Sequence, residues 1–81
     1  MIIVNSYMNR MINTNSIQDL YVYKSKIWYT NSLEDIVFYD SGNSRNTKQV
    51  FSGLMEAIKR GDEYADLADF GGALEDTRLE E

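Results

Sequence analysis

The run Leu20-Tyr21-Val22-Tyr23-Lys24-Ser25-Lys26-Ile27-Trp28-Tyr29-Thr30-Asn31-Ser32-Leu33-Glu34-Asp35-Ile36-Val37-Phe38-Tyr39 decides the fold. It is filled with β-branched and aromatic residues, whose side chains suit a pleated, half-buried surface. Three short strands are expected over 20–23, 27–29 and 36–39, because Lys24-Ser25-Lys26 and the segment from Asn31 to Asp35 are hairpin-length connections. The simplest arrangement is an antiparallel meander over 17–40. Period-two alternation opposes Leu20 and Val22 to Tyr21 and Tyr23, and Val37 and Tyr39 to Ile36 and Phe38. Neither face is cleanly polar. One is therefore expected to carry the core and the other a tyrosine-rich, partly exposed surface.

Toward the C-terminus, Asp40-Ser41-Gly42-Asn43 reads as a turn that ends the sheet. Asn46 followed by Gln49 reads as a helix N-cap with a box-like partner. The main helix is expected over 46–60, with Val50, Phe51, Leu54, Met55 and Ile58 forming one apolar stripe. Lys59 and Arg60 suit its last turn and Gly61 its end. Asp62 is then expected to cap a second, shorter helix carrying Tyr64, Leu67 and Ala68 on one side and stopped by Gly71-Gly72. Residues 62–81 thus read as an acidic helix and tail. Toward the N-terminus, residues 1–16 combine Met1-Ile2-Ile3-Val4 with polar turn formers, and read as either an edge strand or a mobile arm. The expected fold is α+β, with residues 1–81 as a single domain: a small three- to four-stranded antiparallel β-sheet packed against one main helix, with the short acidic C-terminal helix and tail attached.

With 81 residues, one small domain is the ceiling. A hydrophobic fraction of 43%, with six Tyr, three Phe and one Trp, is enough for a core and argues against disorder throughout. The absence of Cys and His removes thiolate nucleophiles, imidazole bases, disulfides and the ordinary zinc, haem and iron–sulfur ligand sets. Acid–base chemistry would fall to carboxylates, Lys or Tyr in a cleft that so small a core scarcely frames, so the protein is not read as an enzyme. No cofactor is expected and no metal. An EF-hand register fails, since a loop started at Asp66 puts Ala68 and Phe70 at ligand positions and one started at Asp62 puts Leu67 where Gly is required. Gly42 and Gly71-Gly72 lack the spacing and the Lys of a phosphate-binding loop. The longest apolar run, residues 1–4, has no basic leader, so neither a signal peptide nor a membrane span is expected and a cytoplasmic protein is. Richness in Asn, Ile, Lys and Tyr without Pro fits AT-rich coding, as in a phage, a plasmid or a low-GC bacterium.

The net charge of −5 is unevenly spread. Residues 1–30 carry +2, residues 31–60 are neutral, and residues 61–81 carry −7. Such an end repels phosphate, so direct nucleic-acid binding is not expected, although Arg10, Lys24 and Lys26 among Tyr21, Tyr23, Trp28 and Tyr29 imitate a base-stacking platform. A basic protein partner is favoured instead. On a helix, Asp62, Asp66 and Asp69 would stand along one face at rises comparable with backbone phosphates. Glu63, Glu75 and Asp76 would extend the stripe toward a cation-lined groove built for nucleic acid. The plainer reading is a solvated face and a solubilising tail. Trp28, Phe38 and Phe51 read as core. Tyr21, Tyr23, Tyr29 and Tyr64 are open between sheet-surface packing and contact with a partner or second copy.

In size, acidity, sheet-plus-helix layout and lack of catalytic residues, the chain resembles the small phage-encoded inhibitors, a grouping that includes anti-CRISPR proteins and other DNA mimics. These share no motif, so no residue is carried over. The resemblance implies stoichiometric inhibition of a host nucleic-acid-binding defence protein. Asp62, Glu63, Asp66, Asp69, Glu75 and Asp76 would then pair with its cations, and Tyr64, Tyr21 and Tyr23 would anchor the contact. The competing expectation is an oligomeric accessory or regulatory subunit, such as a phage accessory protein or an antitoxin, including a homodimer.

Overall fold

The computed structural model describes residues 1–70. Its centre is the expected antiparallel meander, β3 (Asp19–Tyr23), β4 (Lys26–Asn31) and β5 (Glu34–Asp40), in spatial order β3-β4-β5. Both hairpins close with two-residue turns whose first residues, Lys24 and Ser32, take positive φ of 60° and 44°. Tight hairpin turns need that geometry to match strand twist.

The alternation expected on the last strand breaks. Ile27 pairs with Tyr39 but Trp28 pairs with Val37, leaving Phe38 as an extra residue on β5. A bulge of this kind lets two successive side chains turn inward. Phe38 and Tyr39 are accordingly both buried, at 0% and 3% exposure, rather than on opposite faces.

The helix α1 spans Ser44–Arg60 and starts earlier than the Asn46 cap implied. Asn43 is the N-cap: its side-chain oxygen accepts from the amides of Arg45 (2.9 Å) and Asn46 (3.2 Å). The Asp40–Asn43 turn and the cap are thus one unit. At the far end Gly61 adopts the left-handed conformation, with its amide donating to Ile58 and that of Asp62 to Ala57, a Schellman closure. The buried stripe is Thr47, Val50, Leu54 and Ala57. Phe51 is half-buried, and Met55 and Ile58, expected inside, lie at its margin at 39% exposure each.

The remaining strands form a second sheet that the sequence did not suggest. β1 (Ile2–Asn5) pairs antiparallel with β2 (Arg10–Asn13) and parallel with β6 (Tyr64–Asp66), in order β2-β1-β6. The N-terminal segment is therefore not a mobile arm and supplies two strands, β2 at the edge of its sheet and β1 at the centre, with Ile3 and Asn5 both at 0% exposure. The single three- to four-stranded sheet becomes two three-stranded ones. Nor does Asp62 open a second helix. Its amide closes α1, and the segment after it fills the open edge of β1, burying Ala65 and Leu67 at strand spacing before a 3₁₀ turn over Leu67–Asp69. The tail and the Gly71-Gly72 stop lie outside the described residues.

Both sheets feed one core, in which α1 packs on β3 and β4 while Ile3, Ala65 and Leu67 join Ile27, Tyr29, Phe38 and Leu54. The bulge is also the seam between the sheets. Asn5 Nδ2 donates to the carbonyl of Phe38, and the Arg10 guanidinium donates to the carbonyl of Val37 and to the Tyr29 hydroxyl while lying 5.5 Å from the Phe38 ring centre. Arg10, a candidate phosphate contact in the sequence, is spent on this seam.

Candidate functional site

Side chains on the meander face away from the core stand in three cross-strand rows: Asp19–Thr30–Asp35, Tyr21–Trp28–Val37 and Tyr23–Lys26–Asp40. The middle row is apolar. The Tyr21 and Trp28 rings are nearly parallel, 3° apart, with centroids separated by 6.3 Å, an offset stack. Tyr23 is 58% exposed, with the Lys24 ammonium 5.4 Å from its ring centre. This is the tyrosine-rich surface the alternation implied, and it gathers Tyr21 and Tyr23 of the expected site.

Trp28 and Tyr29 exchange their expected places. Tyr29, open between surface and partner, is 8% exposed and meets Phe38 edge-on at 78°. Trp28, read as core, lies on the outer face. The Lys24–Ser25 turn carries the signal: counting back from the Tyr23–Lys26 pair it closes puts Tyr21 opposite Trp28 and Leu20 opposite Tyr29. The indole Nε1–H is enclosed and meets no acceptor among the described residues. An unmet buried donor costs about 1–3 kcal/mol.

The two flanking rows are polar and specific. Thr30 donates to Asp35 at 2.7 Å. The Tyr21 hydroxyl is raised above its ordinary pKa by desolvation first, then by the charges of Asp35 and Asp19. At the other end Asp40 accepts from Ser25 (2.8 Å) and from the Gly42 amide (2.9 Å) and pairs with Lys26 at 3.7 Å. Desolvation pulls its pKa up, but these three groups outweigh it and hold the carboxyl below the ordinary value. Beside it, Ser41 and the buried Thr47 hydroxyls are 2.7 Å apart, and Thr47 donates to the Ser25 carbonyl at 2.6 Å. Every hydroxyl in this cluster has a neighbour, which makes it a joint between sheet and helix.

The acidic stripe does not form. Tyr64–Asp66 is extended, so Asp62, Asp66 and Asp69 do not share a helix face. Asp62 bridges to Arg60 at 2.8 Å, and Asp66 accepts from Ser6 (3.2 Å) and caps the next turn through the Ala68 amide (3.0 Å). Glu63 and Asp69 are exposed. Tyr64, 58% exposed, projects from β6 and so belongs to the other sheet from Tyr21 and Tyr23. Glu75 and Asp76 lie outside the described residues. Among the described residues no three carboxylates gather at metal-binding distance, and no helix is long and apolar enough to cross a membrane.

No protein-family model, curated protein or solved structure matches the chain.

Proposed function

We propose that the protein acts as a stoichiometric binder of another protein through the outer face of β3, β4 and β5. The observation that supports this most is the Tyr21–Trp28 stack: a rigid apolar platform on the face opposite the core, with an indole donor that meets no acceptor among the described residues. Large aromatics with a polar tip dominate the energetics of protein interfaces.

Charge selects the partner. At −5 overall, with −7 in residues 61–81, the protein is drawn to a basic surface and repelled by nucleic acid itself. In its finer form this reading is a phage- or mobile-element-encoded inhibitor that occupies the nucleic-acid-binding surface of a host defence protein. Its support is the charge distribution alone, now that Asp62, Asp66 and Asp69 are not aligned. The test is affinity capture from host lysate at low and high salt, followed by calorimetry with the captured protein. Tyr21→Ala and Trp28→Ala should each weaken binding by about ten-fold or more, measured at a temperature where circular dichroism shows each variant folded. Full affinity in both variants refutes the reading.

A second reading, an oligomeric accessory or regulatory subunit, draws on the other sheet. Met11 and Tyr64 are 68% and 58% exposed on its outer face, beside Val4 and Ile2 in register. Light scattering decides it: a dimer at micromolar concentration that Met11→Lys dissociates supports self-association, and a monomer removes it.

A further inference from the structure

The segment 64–70 is held by partners distant in sequence. It lies along β1 in the register Ile2 to Tyr64, Ile3 to Ala65 and Val4 to Asp66. The Ser6 hydroxyl donates to the Asp66 carboxylate at 3.2 Å, and the Phe70 side chain lies against Gly53 of α1. Its own turn is internal: the Ala68 amide donates to Asp66 Oδ1 and the Phe70 amide to the Leu67 carbonyl, so these bonds travel with the segment. Ala65 and Leu67, at 5% and 1% exposure, are its contribution to the core.

A short exposed hinge returns the chain onto β1. The helix ends at Arg60 and β6 begins at Tyr64, and the Glu63 carbonyl already accepts from the Ile2 amide at 2.9 Å. The reversal therefore falls to Gly61 and Asp62. Gly61 stands at φ 80° on the surface, and a Cβ added there would meet nothing within 4 Å. Its left-handed turn is thus a matter of backbone conformation and not of packing. With Gly61 at negative φ, the segment is carried away from its own β1. Short hinges that must reverse sharply favour exchange of the element beyond them with another copy.

We propose that two copies of the chain exchange this segment, so that 64–70 of each lies along β1 of the other in the same register, with Gly61 as the hinge. The fit names the occupant: β1 takes a parallel strand that sets Ala65 opposite Ile3 and Leu67 into the core, and a second copy carries that strand. The closed monomer and the exchanged dimer make the same contacts along β1 and at Gly53. They differ at the hinge and in the freedom lost on association. The exchanged dimer does not use the outer face that carries Met11, so it stands or falls apart from self-association through that face.

The chain has no cysteine, so Ile2→Cys with Tyr64→Cys introduces a single pair at facing positions of β1 and β6. Met11→Lys is added to break pairing through the outer face. This triple variant is refolded from denaturant at micromolar and at millimolar concentration, and dimer isolated by size exclusion is oxidised and run on a denaturing gel. Exchange gives covalently linked dimer, whereas two closed chains give monomer, each with its own disulfide, and overturn the proposal. On the same background Gly61→Val should lower the dimer dissociation constant by about 30-fold or more, because a side chain disfavours the left-handed turn at both hinges. Gly61→Ala, the milder change, should move it in the same direction. Insertion of Gly-Ser-Gly after Gly61 lets the segment return easily and should restore the monomer. Monomer alone at millimolar concentration with either Val or Ala at the hinge, or a dissociation constant that neither substitution nor insertion moves, would likewise overturn the proposal.

Discussion

The side-chain amide of Asn5 donates to the main-chain carbonyl of Phe38 across 2.6 Å, joining the closing pair of one hairpin to the bulge of another sheet. Asn5 is wholly buried, and its other side-chain atom, Oδ1, accepts from the Tyr7 amide at 3.1 Å. One side chain thus answers a donor in its own turn and an acceptor in a distant strand.

Asn5→Ala should therefore lower unfolding free energy by about 1–3 kcal/mol, since it removes the donor to the buried Phe38 carbonyl and the acceptor of the half-buried Tyr7 amide. Denaturant unfolding measures it. A loss no larger than that of an exposed substitution such as Asn15→Ala would show that the seam contributes little.

Gly53 sits on the helix where a Cβ would meet the Phe70 side chain at 2.7–2.8 Å, including its own Cβ. Helix propensity alone favours Gly53→Ala by about 1 kcal/mol. The clash is with the root of the ring, which cannot swing away cheaply, so the substitution should destabilise by about 1–3 kcal/mol. Adding Phe70→Gly, which removes the Cβ together with the ring, should recover much of the effect of Gly53→Ala relative to Phe70→Gly alone, giving a non-additive cycle.

Asp40 carries an acid dependence. Its folded pKa is lowered, so its contribution is complete above the ordinary carboxylate value and fades as pH falls below about 4. Thermal midpoints across that range should drop less steeply in Asp40→Asn than in the parent, although the variant starts lower at neutral pH. The effect is modest because the side chain is 40% exposed. Parallel curves would show that the Ser25, Gly42 and Lys26 contacts do not favour the charged form.

Tyr39 carries the alkaline counterpart. Burial first, and then Tyr7 and Asp40, push its pKa from 10.0 up to about 12. A raised pKa contributes stability that is present below pH 10 and lost as pH climbs toward 12, because the unfolded phenol ionises first. Phenolate absorbance of the native protein should show a phenol ionising only toward pH 12 that is missing from Tyr39→Phe, and that variant should move alkaline unfolding to higher pH.

The meander and the main helix were legible because each repeats its pattern over several residues: three aromatic-rich strands with short turns between them, and Val50, Phe51, Leu54, Met55 and Ile58 at helical spacing. The bulge was not, since Ile36-Val37-Phe38-Tyr39 is apolar throughout and offers no polar position to mark a slip in register. β6 was hidden for a different reason. Tyr64-Ala65-Asp66-Leu67 fits a helix as well as a strand over so few residues, and what decides is the open edge of β1, a partner at the other end of the chain. At the candidate site Tyr21 and Tyr23 were found by alternation. Trp28 was missed because large aromatics are usually core, and the parity of the turn was left uncounted. The acidic stripe failed with the helix that was to carry it.

The parallel pairing of Ile3 with Ala65 sets an order of assembly. The meander closes through two tight turns and α1 follows it directly, so these elements can form on microsecond timescales from local contacts. β1 precedes the other described strands in the chain but cannot gain its second neighbour until β6 exists, a loop closure that spans nearly all of the described residues. The slow step of folding should be the arrival of β6, and mutations at Ala65 or Leu67 should chiefly change how fast the finished protein comes apart.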